Sequence, residues 1–297
     1  MKQSAVFAQR WMPIALAAPQ LVLVALFFYW PACKAIWWSF HLVRPFGNGS
    51  TFVGLSNYLR ILGDPGFLAS LQASAIFTVS SVSLAVLIAL VLAGFTELNL
   101  RGSKVVRNLL IWPYAVAGAV LGVILQFLMN PITGPMGFIN ALWHGSWAPY
   151  LNGTHAMVLI AFAFAWTQVP FNFVIFVAAL RGIPADYLAA ARIDGAGPLR
   201  RFIDIQLPLL APFVFFAIVI NVLESLTSSF GLVDTLTHGG PGGATSILSF
   251  RIFSVGFVGL DLSGSSVLSV ILMVFIVGMT LLQFRFFDRE APREGST

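Results

Sequence analysis

Five polar residues lie inside two long apolar runs of the sequence. Gln168 and Asn172 are four residues apart, so a helix would place them on one face. Asn221, Glu224 and Ser225 share a face of the later run in the same way. A carboxylate at the centre of a membrane helix costs about 2.5 to 3.5 kcal/mol on insertion scales. These residues predict a polar path for a solute. The alternatives are hydrogen bonding between helices and, for Glu224, contact with water near the membrane surface.

The residue patterns of well-known catalytic chemistries are absent from the sequence. It contains no GxxxxGK[ST] phosphate-binding loop, no HExxH zinc motif and no GxSxG nucleophile turn. Cys33 is the only cysteine, which excludes an intrachain disulfide and a CxxC site, and the four histidines are scattered. We therefore expect no catalytic residues, no metal and no cofactor in this chain.

The composition indicates an integral membrane protein. Hydrophobic residues make up 58% of the 297 and charged residues 9%, with a mean hydropathy of +0.90, whereas soluble domains carry about 25% charged residues. The net charge of +5 includes no dense basic cluster that would suit nucleic acid. Six runs reach the roughly 20 apolar residues that a helix needs to cross a bilayer. They are predicted near residues 12–36, 71–95, 108–129, 156–180, 207–229 and 265–287.

The placement of basic residues predicts the orientation of these helices. Cytoplasmic segments of membrane proteins are enriched in Lys and Arg. With the N-terminus inside, 12 of the 16 Lys and Arg residues fall in cytoplasmic segments. We therefore predict that both termini are cytoplasmic, which also places the connection between the fourth and fifth runs in the cytoplasm.

That connection carries the signals of two short helices separated by a turn. Pro184 and Pro198 each suit the first turn of a helix, and Gly195 and Gly197 suit the turn between them. We predict that Asp194 accepts hydrogen bonds from the backbone N–H groups that open the second helix. Its position between two spans favours a docking element. The alternative is a solvated loop with ordinary turn glycines.

The same connection resembles the cytoplasmic coupling motif of permeases from binding-protein-dependent ABC importers. The match consists of Ala190-Ala191, Asp194-Gly195-Ala196, Phe202, Ile205, Leu207-Pro208 and Pro212. Ala189 stands where the family usually has Glu, and Asp186 lies on roughly the same helical face. The resemblance assigns contact with the ATPase subunit to Asp186, Ala190, Ala191, Asp194, Gly195, Ala196, Arg200, Phe202 and Pro208.

A second resemblance lies after the fifth run, where the sequence reads THGGPGGAT from Thr237 to Thr245. It is similar to the TxGGPxxAT signature of the carbohydrate-type importer permeases. Four glycines and a proline predict a tight, irregular backbone. The resemblance implies an outer gate or a contact with the delivery protein, while the alternative is an ordinary turn. The candidate residues are Thr237, Gly239, Gly240, Pro241 and Thr245.

Within this family the chain resembles, over nearly its whole length, the permeases of sn-glycerol-3-phosphate importers. The stretches that carry this resemblance are 11–32, 52–58, 112–120, 194–202 and 256–266. The implied architecture is the all-α type I importer permease fold. Residues 1–65 would hold the first helix and outer loop, 66–288 a five-helix core with coupling helices at 183–206, and 289–297 a tail.

The resemblance also implies the partners of the chain. They are a second homologous permease, two ATPase subunits that bind the ATP, and a periplasmic binding protein, together in a bacterial inner membrane. The solute would be sn-glycerol-3-phosphate or a glycerophosphodiester, with a sugar or another polyol as the alternative. An ion-coupled secondary transporter is an alternative of another class, although such carriers usually contain inverted repeats and the sequence shows none. An intramembrane enzyme is a third class, which the missing catalytic motifs disfavour.

Overall fold

Long apolar helices make up most of the chain in the computed structural model, which describes residues 11–44, 46–47, 49–96, 110, 112–142 and 147–290. The helices are α1 (Trp11–Val24), α2 (Trp30–Ser39), α3 (Ser56–Leu62), α4 (Pro65–Thr96), α5 (Gly118–Met129), α6 (Pro135–Leu142), α7 (Gly153–Arg181), α8 (Ala185–Ile193), α9 (Pro198–Arg201), α10 (Leu207–Thr227), α11 (Phe230–Leu236), α12 (Leu248–Phe253) and α13 (Leu262–Glu290). Two short strands, β1 (His41–Val43) and β2 (Ser50–Phe52), form an antiparallel hairpin.

Short π-helical turns join two pairs of these elements into continuous helices and extend one further helix. Ala25–Tyr29 connects α1 to α2, Phe202–Gln206 connects α9 to α10, and Ser254–Val258 extends α12. A π-helical turn inserts one extra residue into a helix and often marks a functional site.

Five helices in the described part of the chain are long and apolar enough to cross a membrane. They run over Ile14–Ser39, Pro65–Thr96, Gly153–Arg181, Pro198–Thr227 and Leu262–Arg285. Each contains most or all of one predicted run, so five of the six predicted spans coincide with such helices.

The run predicted at 108–129 has a different structure. Its residues 108, 109 and 111 lie outside the described ones. The remainder forms a 3₁₀ turn at Trp112–Ala115, an extended residue at Ala117 and then the 12 residues of α5. Pro113 lacks a backbone N–H and so disfavours one continuous α-helix here. At 1.5 Å per residue, α5 covers about 18 Å, well short of a hydrocarbon layer of about 30 Å.

The chain divides into two compact units. The first contains the described residues up to Gly63 together with Ile252–Met273. In it, the buried Asn57 donates hydrogen bonds to the carbonyls of Ser39 and His41, at 3.0 and 3.1 Å. The amide side chain therefore fixes the end of α2 to the start of the hairpin. Arg60 pairs with Asp261 at 2.7 Å in the same unit.

The second unit runs from Asp64 to Arg251 and resumes at Val274. Helices α4 and α7 pack along each other, and their aromatic residues Phe77 and Phe164 meet edge to face with ring centroids 5.4 Å apart. Leu121, Leu232 and further aliphatic side chains complete this buried cluster. The unit therefore has an apolar core of its own, in which polar side chains are exceptions.

Glycine permits the closest helix contact in this unit. A Cβ atom at Gly122 would overlap Thr235 Oγ1, and one at Gly118 would lie 3.6 Å from Leu232 Cβ. Thr235 Oγ1 also lies 3.1 Å from the carbonyl oxygen of Ala119. The two glycines, spaced as GxxxG, thus let α5 and α11 approach closely.

Candidate functional site

The connection between α7 and α10 contains a tight glycine turn. Helix α8 ends at Ile193 with Asp194 as its C-cap residue, and Gly195 has φ +76°, a left-handed conformation that favours glycine. The N–H of Ala196 donates to the carbonyl of Ala191 at 2.9 Å, and the N–H of Gly195 to that of Arg192 at 3.1 Å. These two hydrogen bonds form a Schellman motif. The DGA sequence is therefore the C-terminal cap of α8.

The second predicted helix differs from its prediction in two respects. Gly197 is the N-cap residue of α9, and no described side chain caps this helix. The hydrogen bond predicted from its N–H groups to Asp194 is therefore not formed, since the left-handed turn at Gly195 separates the two. In addition, α9 continues through Phe202–Gln206 into α10 as one helix of 30 residues, Pro198–Thr227. The second short helix is thus the first part of the fifth span.

We name residues 183–206 the coupling segment. Among its candidate residues, Asp186, Ala190, Asp194 and Arg200 are exposed, whereas Ala191 is buried. Pro208 lies in the first turn of α10 just beyond it. The exposed residues are accessible to another protein.

Phe202 attaches the coupling segment to the end of α4. A Cβ atom at Gly94 would lie 3.1 Å from the Phe202 ring, so the ring packs directly against the helix backbone. A groove of about 420 Å³ beside this contact is lined by Phe95, Leu188 and Leu199, among others. Arg200 and Asp204 form an ion pair at 3.2 Å, but both side chains are largely exposed. Such exposed pairs add little stability, and the apolar packing of Phe202 is the main attachment.

The predicted polar residues of the spans form two separate groups. Asn172 and Asn221 are fully buried and hydrogen-bond to each other between α7 and α10, at 2.7 and 3.3 Å. Ser225 lies within 2.9 Å of the Thr78 hydroxyl on α4 and donates to the carbonyl of Val222 at 2.8 Å. These three residues connect helices by hydrogen bonds, which is the alternative to a solute path that the sequence left open.

Gln168 and Glu224 belong to the second group and face a cavity of about 320 Å³. Gln168 is 8% exposed, and its amide makes no hydrogen bond with any described residue. Tyr114, Thr167 and Ser228 supply the other polar groups of the lining. None of these three was predicted from the sequence, because only the fold brings the 3₁₀ turn at Trp112–Ala115 next to α7 and α10.

The loop from Thr237 to Thr245 has the predicted irregular backbone. His238, Gly239, Gly242 and Gly243 all have positive φ, and the Gly240–Pro241 peptide is cis. Thr245 is fully buried, and its hydroxyl lies 2.8 Å from the Thr237 hydroxyl and 2.7 Å from the carbonyl oxygen of Gly240. The threonines at both ends of the THGGPGGAT sequence therefore hold the loop closed.

Tyr150 lies beside this loop and lines a cavity of about 100 Å³ together with Thr237, Gly240 and Pro241. Its hydroxyl donates to the carbonyl of Gln126 at 2.7 Å. Partial burial raises the pKa of Tyr150 above its ordinary value of 10.0, so the phenol stays neutral and remains a donor at physiological pH.

An ion pair between Asp64 and Arg251 was also not predicted. The Arg251 guanidinium donates to Asp64 Oδ2 at the start of α4, and the N–H of Gly66 donates to Asp64 Oδ1 at 2.9 Å. The side chains are 22% and 37% exposed for Arg251 and Asp64. Because the two residues are 187 positions apart, no local pattern in the sequence indicates this contact.

Long apolar helices, a cavity with polar walls and an exposed helix–turn segment are features of a membrane transport subunit. The chain belongs to the family of binding-protein-dependent transport system inner membrane components, whose family model matches residues 85–291. It is a multi-pass inner membrane protein, a permease of an ABC importer rather than an enzyme.

Curated relatives match along nearly the whole chain. The sn-glycerol-3-phosphate transport system permease protein UgpA of Rhizobium meliloti is 43% identical over 287 residues, which cover 97% of this chain and 98% of the relative. The protein of the same name from Yersinia enterocolitica is 42% identical over 284 residues, 96% of each chain.

Solved structures show the same fold. A chain of a bacterial ABC transporter that imports the acidic polysaccharide alginate superposes with a TM-score of 0.79 and 17% identity, covering 95% of this chain and 96% of that one. A second structure, in which the alginate transporter is in complex with an alginate pentasaccharide-bound periplasmic protein, gives a TM-score of 0.77. The type I importer permease fold predicted from the sequence agrees with these likenesses.

Proposed function

We propose that this chain forms half of the translocation path of an importer for sn-glycerol-3-phosphate or glycerophosphodiesters. The observation that carries the proposal is the 42–43% identity, over nearly full length, with permeases named for sn-glycerol-3-phosphate transport. Because the chain belongs to a family of ABC importer permeases, the alternative of an ion-coupled secondary transporter is dropped. A sugar or another polyol is the second candidate solute, because no Lys or Arg is among the described residues that line the cavity.

The proposed assembly contains a second homologous permease, two ATPase subunits and a periplasmic binding protein. The exposed residues of the coupling segment would contact an ATPase subunit, and the continuous helix Pro198–Thr227 would transmit its movement into the membrane. Rigid secondary structure between two sites is the physical element that such transmission needs. This arrangement requires the predicted orientation, with both termini in the cytoplasm.

The polar residues of the spans and the loop from Thr237 to Thr245 have separate proposed roles. Gln168 and Glu224 would contact the solute, while Asn172, Asn221 and Ser225 hold the surrounding helices in place. The loop closed by Thr237 and Thr245 would form the outer gate or contact the binding protein. The division of the chain at residues 65 and 66 into a first helix and a five-helix core stays a prediction.

The test is reconstitution of the complete importer in proteoliposomes. The chain should copurify with an ATPase and a second permease, and the complex should accumulate labelled sn-glycerol-3-phosphate only with ATP and the binding protein. Maltose and free glycerol serve as competing solutes. Uptake that competes with a sugar but not with glycerophosphodiesters would replace the proposed solute by the second candidate. A transport-competent homomer without an ATPase would contradict the proposed assembly.

A further inference from the structure

The described wall of the cavity beside α7 and α10 is polar and contains an acidic residue but no basic one. Its described polar lining consists of Tyr114, Thr167, Gln168, Glu224 and Ser228. The volume of about 320 Å³ lies at the lower end of the roughly 300–1,000 Å³ that is usual for small-molecule sites. Glu224 is its only acidic group and no basic group balances it among the described residues.

Gln168 is the observation that indicates a ligand. Its side chain is more than nine-tenths buried and lines the cavity without a hydrogen-bond partner among the described residues. Buried amides are nearly always hydrogen-bonded. The partner of this amide is therefore a polar molecule in the cavity, either a solute or water.

The hydrogen-bonding capacities of the wall match hydroxyl groups. The Thr167 hydroxyl donates to the carbonyl of Phe164 at 2.7 Å, so only its lone pairs face other partners. The Glu224 carboxylate makes no hydrogen bond or ion pair with any described residue and is an acceptor. Acceptors require a ligand that donates, as an alcohol does and a phosphate dianion does not.

Tyr114 adds an aromatic wall. Its ring stacks on Phe171, with centroids 6.2 Å apart and planes 13° from parallel, and this contact holds its position. The ring offers an apolar face to C–H groups, and its hydroxyl group adds one donor. A wall of this kind suits the carbon backbone and the hydroxyls of a polyol.

We propose that Tyr114, Gln168 and Glu224, with Thr167 and Ser228, form a subsite that binds the hydroxyl-bearing end of the solute and repels its phosphate. The inference rests on the proposed function and assigns to this chain the glycerol end of a glycerophosphate or glycerophosphodiester. The phosphate then lies away from Glu224, because two negative charges at close range repel each other. This subsite deepens the proposed path by fixing which end of the solute this permease binds.

The experiment compares two substrates that share the glycerol end and differ at the phosphate. Reconstituted importer with its binding protein and ATP takes up labelled sn-glycerol-3-phosphate or labelled sn-glycerol-3-phosphocholine. The variants are Glu224→Gln, Gln168→Leu and Tyr114→Phe, with Ser80→Ala as the control, since Ser80 is exposed, hydrogen-bonds only to the backbone of its own helix and does not line the cavity. Every complex carries the same binding protein, so its own preference cancels in the ratio of variant to unaltered kcat/KM.

The expected result is an equal loss for both substrates. Glu224→Gln keeps an acceptor oxygen but loses the charge that strengthens its hydrogen bond, which should lower kcat/KM about 3- to 10-fold. Removal of the neutral hydrogen bond in Tyr114→Phe should lower it about 2- to 10-fold. Tyr114→Phe keeps the stacked ring, so it reports on the hydroxyl even if the buried Gln168→Leu variant fails to assemble.

Unchanged uptake by both Glu224→Gln and Tyr114→Phe would overturn the subsite. So would an increase for sn-glycerol-3-phosphate alone with Glu224→Gln, because that result places the phosphate beside Glu224. Failure of the unaltered importer to take up either substrate would instead overturn the proposed solute, and the subsite with it.

Discussion

The side chains of Asn172 and Asn221 hydrogen-bond to each other across the contact between α7 and α10. Asn221 Nδ2 donates to Asn172 Oδ1 at 2.7 Å, and Asn172 Nδ2 donates to Asn221 Oδ1 at 3.3 Å. Asn221 Nδ2 also donates to the carbonyl of Ala217 at 2.6 Å. Both residues are fully buried, so the Asn172 amide depends on Asn221 for its hydrogen bonds, whereas Asn221 also has the carbonyl of Ala217.

The first prediction is that substitutions of Asn172 and Asn221 have non-additive effects on the stability of the complex. Asn172→Leu or Asn221→Leu alone leaves a buried amide without its partner and should destabilise the complex by about 1–2 kcal/mol. The double variant should cost less than the sum, because the second substitution removes an amide that is already unpaired. The measurement is thermal unfolding of the purified importer. Strictly additive losses would show that the two amides act independently.

A second prediction concerns the ion pair between Arg251 and Asp64. Arg251→Met leaves the half-buried Asp64 carboxylate without its cation and should destabilise the complex by about 1–3 kcal/mol. Asp64→Asn should cost less, because the amide oxygen still accepts the hydrogen bond of the Gly66 N–H. The matched control is Arg60→Met, which breaks a pair with Asp261 in which Arg60 is 51% exposed. That change should cost at most about 1 kcal/mol.

Thermal unfolding of the purified complex measures these variants too. An equal loss for Arg251→Met and Arg60→Met would contradict the structural role of the half-buried pair between Arg251 and Asp64. Gly66→Ala is an independent check, since its Cβ atom would lie 2.5 Å from Arg251 Nη2 and displace the guanidinium group.

The third prediction is the orientation of the chain. On a Cys33→Ser background, Phe46→Cys should react with a membrane-impermeant maleimide in intact spheroplasts, because residue 46 lies in the predicted outer loop and is 87% exposed. Tyr187→Cys in the coupling segment, 58% exposed in the wild type, should react only after the membrane is permeabilised. The Cys33→Ser chain without an added cysteine is the unlabelled control. Labelling of Tyr187→Cys but not of Phe46→Cys in intact spheroplasts would reverse the topology.

Features with a local physical cause could be predicted from the sequence. Apolar runs of sufficient length became the five long helices, because the length of a span follows from the thickness of the membrane. The glycine turn at Gly195 was also predictable, since the left-handed conformation that ends α8 strongly favours glycine. Pro184 and Pro198 likewise mark the starts of α8 and α9.

Features that depend on tertiary contacts could not be predicted in this way. Helical spacing places Gln168 and Asn172 on one face, but the sequence does not show that only Gln168 borders a cavity while Asn172 meets Asn221. The sequence also indicated a separate second helix in the coupling segment. Pro198 does start a helix, and no helix-breaking residue follows before Pro208. The π-helical turn Phe202–Gln206 lies just before Pro208, and such a local adjustment lets a membrane helix continue through a proline.

The coupling segment gives the sharpest prediction, because the structure separates backbone strain from steric overlap at Gly195. A Cβ atom there would have no neighbour within 4 Å, so a substitution meets no steric overlap at that atom. The cost of a substitution is then the left-handed backbone, about 1–2 kcal/mol for most residues and less for Asn. Gly195→Val and Gly195→Asn thus form a matched pair that differs in tolerance of this conformation.

Gly195→Val should open the Schellman motif and change the angle between α8 and the helix Pro198–Thr227. We expect uptake to be lost and ATP hydrolysis to lose its stimulation by loaded binding protein, while Gly195→Asn keeps most of both. Asp194→Ala should have an intermediate effect, since its exposed carboxylate makes no hydrogen bond with described residues and acts only through a partner. The measurements are uptake and stimulated ATPase activity at matched expression. Normal uptake by Gly195→Val would show that the left-handed turn has no part in coupling.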